Sequence, residues 1–213
     1  MRNLLVIVGR AAAGKTTLEK MLEKELGYTP LISHTTRPQR PGEEYGKEYY
    51  FTNNEHMQEM IERDRTLENA SYIVDGEKWW YAITKEEVWD KEREADGGML
   101  VVTLNPNGIS QVFNQKEFKD KMVVLYMTGD LLGHRYLIRE GASEESLSRW
   151  NQRKAQDEKD FEWFEEVLIP QLKNEGIPVI EYNNRYSTSN NMTVDQIKFI
   201  DSLVGRIVES ESA

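Results

Sequence analysis

The segment Leu4-Leu5-Val6-Ile7-Val8-Gly9-Arg10-Ala11-Ala12-Ala13-Gly14-Lys15-Thr16-Thr17 constrains this chain more than any other. An unbroken apolar run ends on a glycine and gives way to G-x-x-x-x-G-K-[ST]. Leu18, Met21, Leu22 and Leu26 then recur at helical spacing, and Gly27 supplies a stop. Such a run suits a strand covered on both faces in a parallel sheet. A glycine-bearing turn from that strand into a helix makes a phosphate cradle, because backbone N–H groups turn inward and the helix N-terminus adds its positive end. Gly9, Arg10, Ala11, Ala12, Ala13, Gly14, Lys15, Thr16 and Thr17 are the expected ATP contacts. Lys15 reaches the β- and γ-phosphates, and the Thr16 hydroxyl ligates Mg²⁺. The simpler alternative is a strand–helix turn that happens to hold glycine and lysine. Ala12 stands where the middle of such loops commonly carries glycine.

The same strand grammar returns at Met99–Leu104, Met122–Met127 and Ile177–Tyr182, so the chain reads as α/β with a parallel sheet. At 213 residues one large domain is favoured over two small ones. Between the first two core strands, residues 34–83 are rich in Arg, Glu, Tyr and Trp and read as an insert: loop to Gly46, a strand at Glu48–Phe51, a helix near Asn54–Arg63, and strands around Thr66–Val74 and Lys78–Ile83 joined by an Asp75-Gly76 turn. Thr84-Lys85-Glu86-Glu87 is a capping-box pattern opening a helix to about Ala95. Residues 130–173 read as two charged helices, Arg185–Asn191 as a polar loop, and Val194–Val208 as an amphipathic closing helix.

Composition narrows the chemistry. Without cysteine, disulfides, thiolate catalysis and cysteine-ligated metals are excluded, and three scattered histidines do not make a histidine metal site. Lys+Arg 27 against Asp+Glu 37 gives a net charge of -10, which opposes a nonspecific grip on nucleic acid or an anionic membrane. Any bound phosphate must be met by a local cluster of cations. No apolar run approaches a membrane span, and the five apolar residues after Met-Arg-Asn fall short of a signal peptide, so the expected location is cytoplasmic.

A second anion site is written in Ser33-His34-Thr35-Thr36-Arg37-Pro38-Gln39-Arg40-Pro41-Gly42-Glu43-Glu44-Tyr45-Gly46-Lys47-Glu48-Tyr49-Tyr50-Phe51. Two arginines three apart in a proline-stiffened loop can fork a phosphate, although alone the run also reads as a solvated surface. It closely resembles the S-x-T-T-R-x-x-R-x-G-E-x-x-G-x-x-Y-x-F signature of the guanylate kinase family, and the resemblance extends from the cradle through Arg135–Glu158. It implies a P-loop NTPase three-layer core (1–33, 84–129, 154–213), a small β-rich NMP-binding insert (34–83) and a helical lid (130–153). The implied reaction moves a phosphoryl group from ATP to a nucleoside monophosphate, GMP in that family. The partners implied are small-molecule nucleotides, and homodimerisation stays open. Carried over, Ser33, Arg37, Arg40, Tyr49 and Tyr81 hold the acceptor phosphate and Glu68 meets the base edge, unless Glu68 is an exposed strand carboxylate. Lys15, Arg135 and Arg139 are the catalytic cations. Where the family has a further lid arginine this chain has Trp150, so Arg149 is the expected replacement, with Arg153 on the same helical face as the alternative. Both also read as ordinary salt-bridged helix residues.

Two departures concern the base and the metal. Ala82-Ile83 replaces the Gly-Ser or Gly-Thr that contacts guanine, and Thr103-Leu104-Asn105 replaces D-x-D. Ile83 and Thr103 are therefore expected at the acceptor, with preference moved away from GMP. A pyrimidine or modified deoxynucleotide would stack on Trp79, Trp80 or Tyr81; the competing reading keeps guanine through Glu68 and a rearranged partner set. The Trp pair also reads as packing on the insert sheet. Two other functions remain: a non-catalytic module binding phosphorylated partners, and a P-loop kinase acting on a hydroxyl of a nucleobase, a sugar or DNA.

Overall fold

The computed structural model describes residues 1–74, 76–184 and 192–210. Asp75 of the expected turn and the Arg185–Asn191 loop lie outside the described residues. The first half of the chain contains β1 (Leu4–Gly9), α1 (Lys15–Leu26), β2 (Thr29–Pro30), β3 (His34–Thr35), β4 (Tyr50–Phe51), α2 (Asn54–Glu62), β5 (Thr66–Val74), β6 (Glu77–Thr84) and α3 (Lys85–Ala95). The second half contains β7 (Leu100–Thr103), α4 (Pro106–Phe113), α5 (Lys116–Lys119), β8 (Met122–Thr128), α6 (Leu132–Glu140), α7 (Glu144–Trp163), α8 (Ile169–Asn174), β9 (Val179–Asn183) and α9 (Val194–Ser210). A π-helical turn at Phe164–Leu168 joins α7 to α8, where Pro170 lacks the N–H that an unbroken helix would donate to Glu166.

Five parallel strands in the order β2-β7-β1-β8-β9 form the main sheet. β1 lies at its centre, and alternation sends its side chains to two separate cores. Leu4, Val6 and Val8 join Ile109 and Val112 of α4, Phe161 of α7 and Leu172 of α8. Leu5 and Ile7 join Leu18 and Leu22 of α1 and Ile197, Ile200 and Val204 of α9. All five β1 side chains are fully buried, each worth about 1.5–3 kcal/mol relative to exposure. The result is the expected three-layer sandwich. The cradle leaves the carboxyl end of its central strand, where open α/β sheets place their ligands.

A second sheet, β4-β3-β6-β5, comes from residues 34–84. Its β3, like β2 in the main sheet, is only two residues long and was expected as loop. Thr84 caps α3 by accepting from the Glu87 N–H, as the capping box requires. Glu87 does not return the bond: its carboxylate accepts from Ile32 N–H at 2.9 Å and Tyr50 O–H at 3.1 Å, tying the second sheet to the first.

Candidate active site

The cradle turns on Ala12 and Gly14, both in the left-handed region at φ 62° and 100°. Gly14 also has no room for a side chain, since a Cβ there would come within 2.8 Å of Asn184 Nδ2. Lys15 Nζ donates to the carbonyls of Gly9 at 2.7 Å and Arg10 at 3.1 Å. Burial lowers its pKa to about 8, with Asp157 opposing and Arg153 and Arg139 adding to the fall. Arg10 turns its side chain away from the cradle, to Tyr126 and Glu165. A cavity beside the loop is lined by Lys15, Thr16, Thr17, Arg135, Arg139 and Asn184. Asn184 donates to Ala13 O at 3.0 Å, its own carbonyl accepts from Arg135, and its buried Oδ1 has no partner among the described residues.

The arginine loop stands across the cleft. Arg37 is buried and forks onto Glu43 at 2.8 and 3.1 Å, lying over the Tyr49 ring at 5.3 Å. Glu43 and Tyr81 raise its pKa. Arg40 is exposed, with its backbone N–H donating to Glu43. Ser33 precedes β3, and its carbonyl accepts from Tyr50 N–H. Tyr49, Tyr81 and Tyr72 follow one another edge to face, each pair 5.8 Å apart. They lead from the arginine loop to a second cavity, lined by Gly9, Lys15, Tyr72, Thr103, Asn105 and Arg153.

Glu68 is buried, not an exposed strand carboxylate. It sits against Gly108 of α4 with no hydrogen bond among the described residues, and desolvation pushes its pKa up to about 7. Ile83 departs from expectation. It lies opposite Glu68 in register and on the same face of β6 as Tyr81, but it is 1% exposed within the main core, so it offers no open contact to an acceptor. The next residue, Thr84, caps α3, and the pairing of β5 with β6 is irregular between Thr66 and Glu68.

At the end of β7, the Thr103 hydroxyl turns toward α1 and donates to Glu19 Oε2 at 2.8 Å. Asn105 is the N-cap of α4: its Oδ1 accepts from Gly108 N–H and its Nδ2 donates to Tyr72 O–H, both at 2.7 Å. The described residues hold no cluster of three acidic, histidine or cysteine groups. Thr16, in the first turn of α1, offers a hydroxyl oxygen of the kind that suits Mg²⁺, a cation usually held by one or two carboxylates together with substrate phosphates.

The guanylate kinase family model matches residues 1–174. The chain belongs to the guanylate kinase family. A guanylate kinase of Fusobacterium nucleatum is 30% identical over 183 residues, covering 86% of this chain and 84% of that protein. Guanylate kinases of Polaromonas sp. (34% identical, 53% of each chain) and Dechloromonas aromatica (38% identical, 52% of each chain) match along about half their length. A crystal structure of guanylate kinase from Anaplasma phagocytophilum shares the fold at a TM-score of 0.56, with 17% identity, covering 98% of this chain and 86% of that one.

In the helices after β8, Arg149 is exposed and pairs with Glu145 at 3.6 Å, away from the two cavities described above. Arg153, one turn on, pairs with Asp157 at 3.2 Å and lines the cleft. Trp150 packs on Gly133 and on Tyr136 at 5.3 Å, joining α6 to α7. Four residues at the site are not marked by the sequence patterns: Glu19, Tyr72, Asp157 and Asn184. Only Asn184 had a usable signal, its place just past the end of a core strand. No described helix is long and apolar enough to cross a membrane.

Proposed function

We propose that this chain transfers the γ-phosphoryl group of ATP to the phosphate of a nucleoside or deoxynucleoside 5'-monophosphate. An acceptor phosphate oxygen forms the new P–O bond as the bond to the β,γ-bridging oxygen breaks, giving ADP and a nucleoside diphosphate. The observation that carries this reading is the second cavity, which sets Gly9 and Lys15 of the phosphate cradle opposite Tyr72, itself linked ring by ring to Arg37. A phosphate donor and a phosphate acceptor can meet there.

In this reading Arg37, Arg40, Tyr49 and Tyr81 hold the acceptor phosphate, with Ser33 at the entrance to β3. Lys15, Arg135, Arg139 and Arg153 surround the moving group. Positioned cations stabilise the charge that spreads over it at little reorganisation cost. Mg²⁺, held by Thr16 and ATP phosphates, would neutralise further charge. The insert sheet would serve as the acceptor-binding unit, and α6 with the start of α7 as the lid.

Glu68 remains the group that meets the base. Asn105, where the family pattern has an acid, already engages both ends of its amide. Guanine therefore loses one carboxylate partner for its N–H groups, which supports acceptors beyond GMP. The deciding experiment is a turnover screen of all common and modified (d)NMPs with ATP and Mg²⁺, wild type beside Lys15→Ala. Turnover that requires both nucleotides and collapses in the variant supports the proposal. Inactivity with every acceptor, or full activity of the variant, ends it.

A further inference from the structure

A carboxylate with no part in the reading above is bonded to a residue that lines the reacting cleft. Glu19 projects from the second turn of α1, and its Oε2 accepts from Thr103 at 2.8 Å. Thr103 lines the same cavity as Gly9 and Lys15. Its charge also acts weakly on the Tyr49 phenol, after burial, Tyr81, Arg37 and Glu43. Glu19 thus stands at the strand end beside the cradle, held there by Thr103. Thr103 fixes one of its oxygens, and the other takes no hydrogen bond among the described residues.

This is a costly place for a negative charge. Burial is the main cause of the raised Glu19 pKa; the Thr103 bond and Lys20 act against it, and Glu23 adds to it. Two phosphates brought into this cleft would increase the repulsion, since like charges a few ångströms apart in a partly dry site interact strongly. A divalent cation reverses that balance. Thr16 is three residues before Glu19 on the same helix, so the hydroxyl and the carboxylate are neighbours on one face, with Cβ atoms about 5–6 Å apart.

We propose that Glu19, oriented by Thr103, is the carboxylate with which this chain holds the divalent cation of its nucleotide. The acid expected at the strand end has in effect been moved across one hydrogen bond, onto the helix that follows the cradle. The inference rests on the ATP-dependent reading, and the experiment separates the two.

Binding of Mn²⁺ with β,γ-methylene-ATP is followed by electron paramagnetic resonance. Binding of ATP in EDTA is followed by calorimetry, and acceptor KM is measured at saturating Mg²⁺. Glu19→Gln keeps the shape and the contact with Thr103 but loses the charge. It should weaken Mn²⁺ binding about 10–100-fold, as loss of a supporting ligand does, and leave metal-free ATP binding and acceptor KM near wild type. Glu19→Gln/Thr103→Asp, which returns a carboxylate to the strand end, should recover most of the loss. If Glu19→Gln fails to fold, Thr103→Val, which releases the carboxylate from its anchor, should weaken Mn²⁺ binding in the same direction. Wild-type Mn²⁺ affinity in the folded variant would overturn the proposal and leave the kinase reading standing. So would a raised acceptor KM with unchanged Mn²⁺ affinity, the behaviour of a sugar or base contact. A wild-type chain that binds no ATP would overturn both.

Discussion

Asp157 places Oδ2 2.7 Å from the backbone N of Ala11, so a side chain of α7 occupies one of the inward-facing donors of the cradle. The same carboxylate pairs with Arg153 and is almost fully buried. Helix and cradle are latched together by an internal anion.

Asp157→Ala should therefore lower unfolding free energy by about 1–3 kcal/mol without nucleotide, the cost of leaving a buried donor and a cation unpaired. Saturating ATP should restore part of this, because phosphate oxygens offer the cradle a new acceptor. Urea titration with and without ATP checks both, and equal stability of variant and wild type would discard the latch.

Lys15 gives the cradle a pH dependence. Its pKa of about 8 in the free chain must rise when phosphate arrives, so binding takes up a proton once the free lysine has lost its own. ATP affinity should be flat below about pH 7 and fall above about pH 8, by at most about tenfold per unit. Lys15→Gln should lose that falling limb along with turnover. Calorimetry across the range shows whether it does.

Ala12→Gly should stabilise the chain. The left-handed backbone at Ala12 costs an L-residue about 1–2 kcal/mol, and the added freedom of glycine in the unfolded chain returns about 0.5–1 kcal/mol of that. A net gain near 1 kcal/mol is expected in denaturant melts. Destabilisation would mean that the loop relies on the methyl group.

Glu68 binds its proton more tightly folded than unfolded, its pKa being about 7 against an ordinary 4.5. Its contribution to stability is fully present below pH 4.5 and is lost as pH rises through about 7. Glu68→Gln should match wild type in acid and exceed it above pH 8 by up to about 3 kcal/mol. Melting curves at the two extremes test the sign.

The two clamp arginines should behave differently. Arg40→Ala, at an exposed position, should raise acceptor KM while leaving Tm unchanged. Arg37→Ala should raise KM further, by up to about 2–5 kcal/mol of binding, and lower Tm as well, because Glu43 and the Tyr49 ring lose their partner. Equal effects on KM and Tm in both variants would contradict the burial difference.

The parts of the site that are contiguous in sequence could be read from it. The cradle and the arginine loop are each one short run with fixed spacing, and β1 announces itself by being apolar throughout. Two-residue strands such as His34–Thr35 carry no periodicity to detect. The resemblance put Ile83 at the acceptor, but a match of positions does not say that this end of β6 runs into the core. Helical phase put Arg149 and Arg153 on one face; only the packing of α7 shows which turn reaches the cleft. Glu19 and Asp157 meet their partners 84 and 146 positions away, distances at which a sequence pattern has no hold.

On the proposed function, the Arg37–Glu43 fork makes acceptor capture a trade and not an addition. In the proposed clamp, an incoming phosphate would find the guanidinium already neutralised by a carboxylate on its own loop, and would have to displace that carboxylate to dock. A singly charged anion gains little from such an exchange, whereas a doubly charged phosphate monoester brings more than the carboxylate it displaces. On that reading the loop would set a threshold of ligand charge, disfavouring singly charged phosphodiesters before any base is inspected.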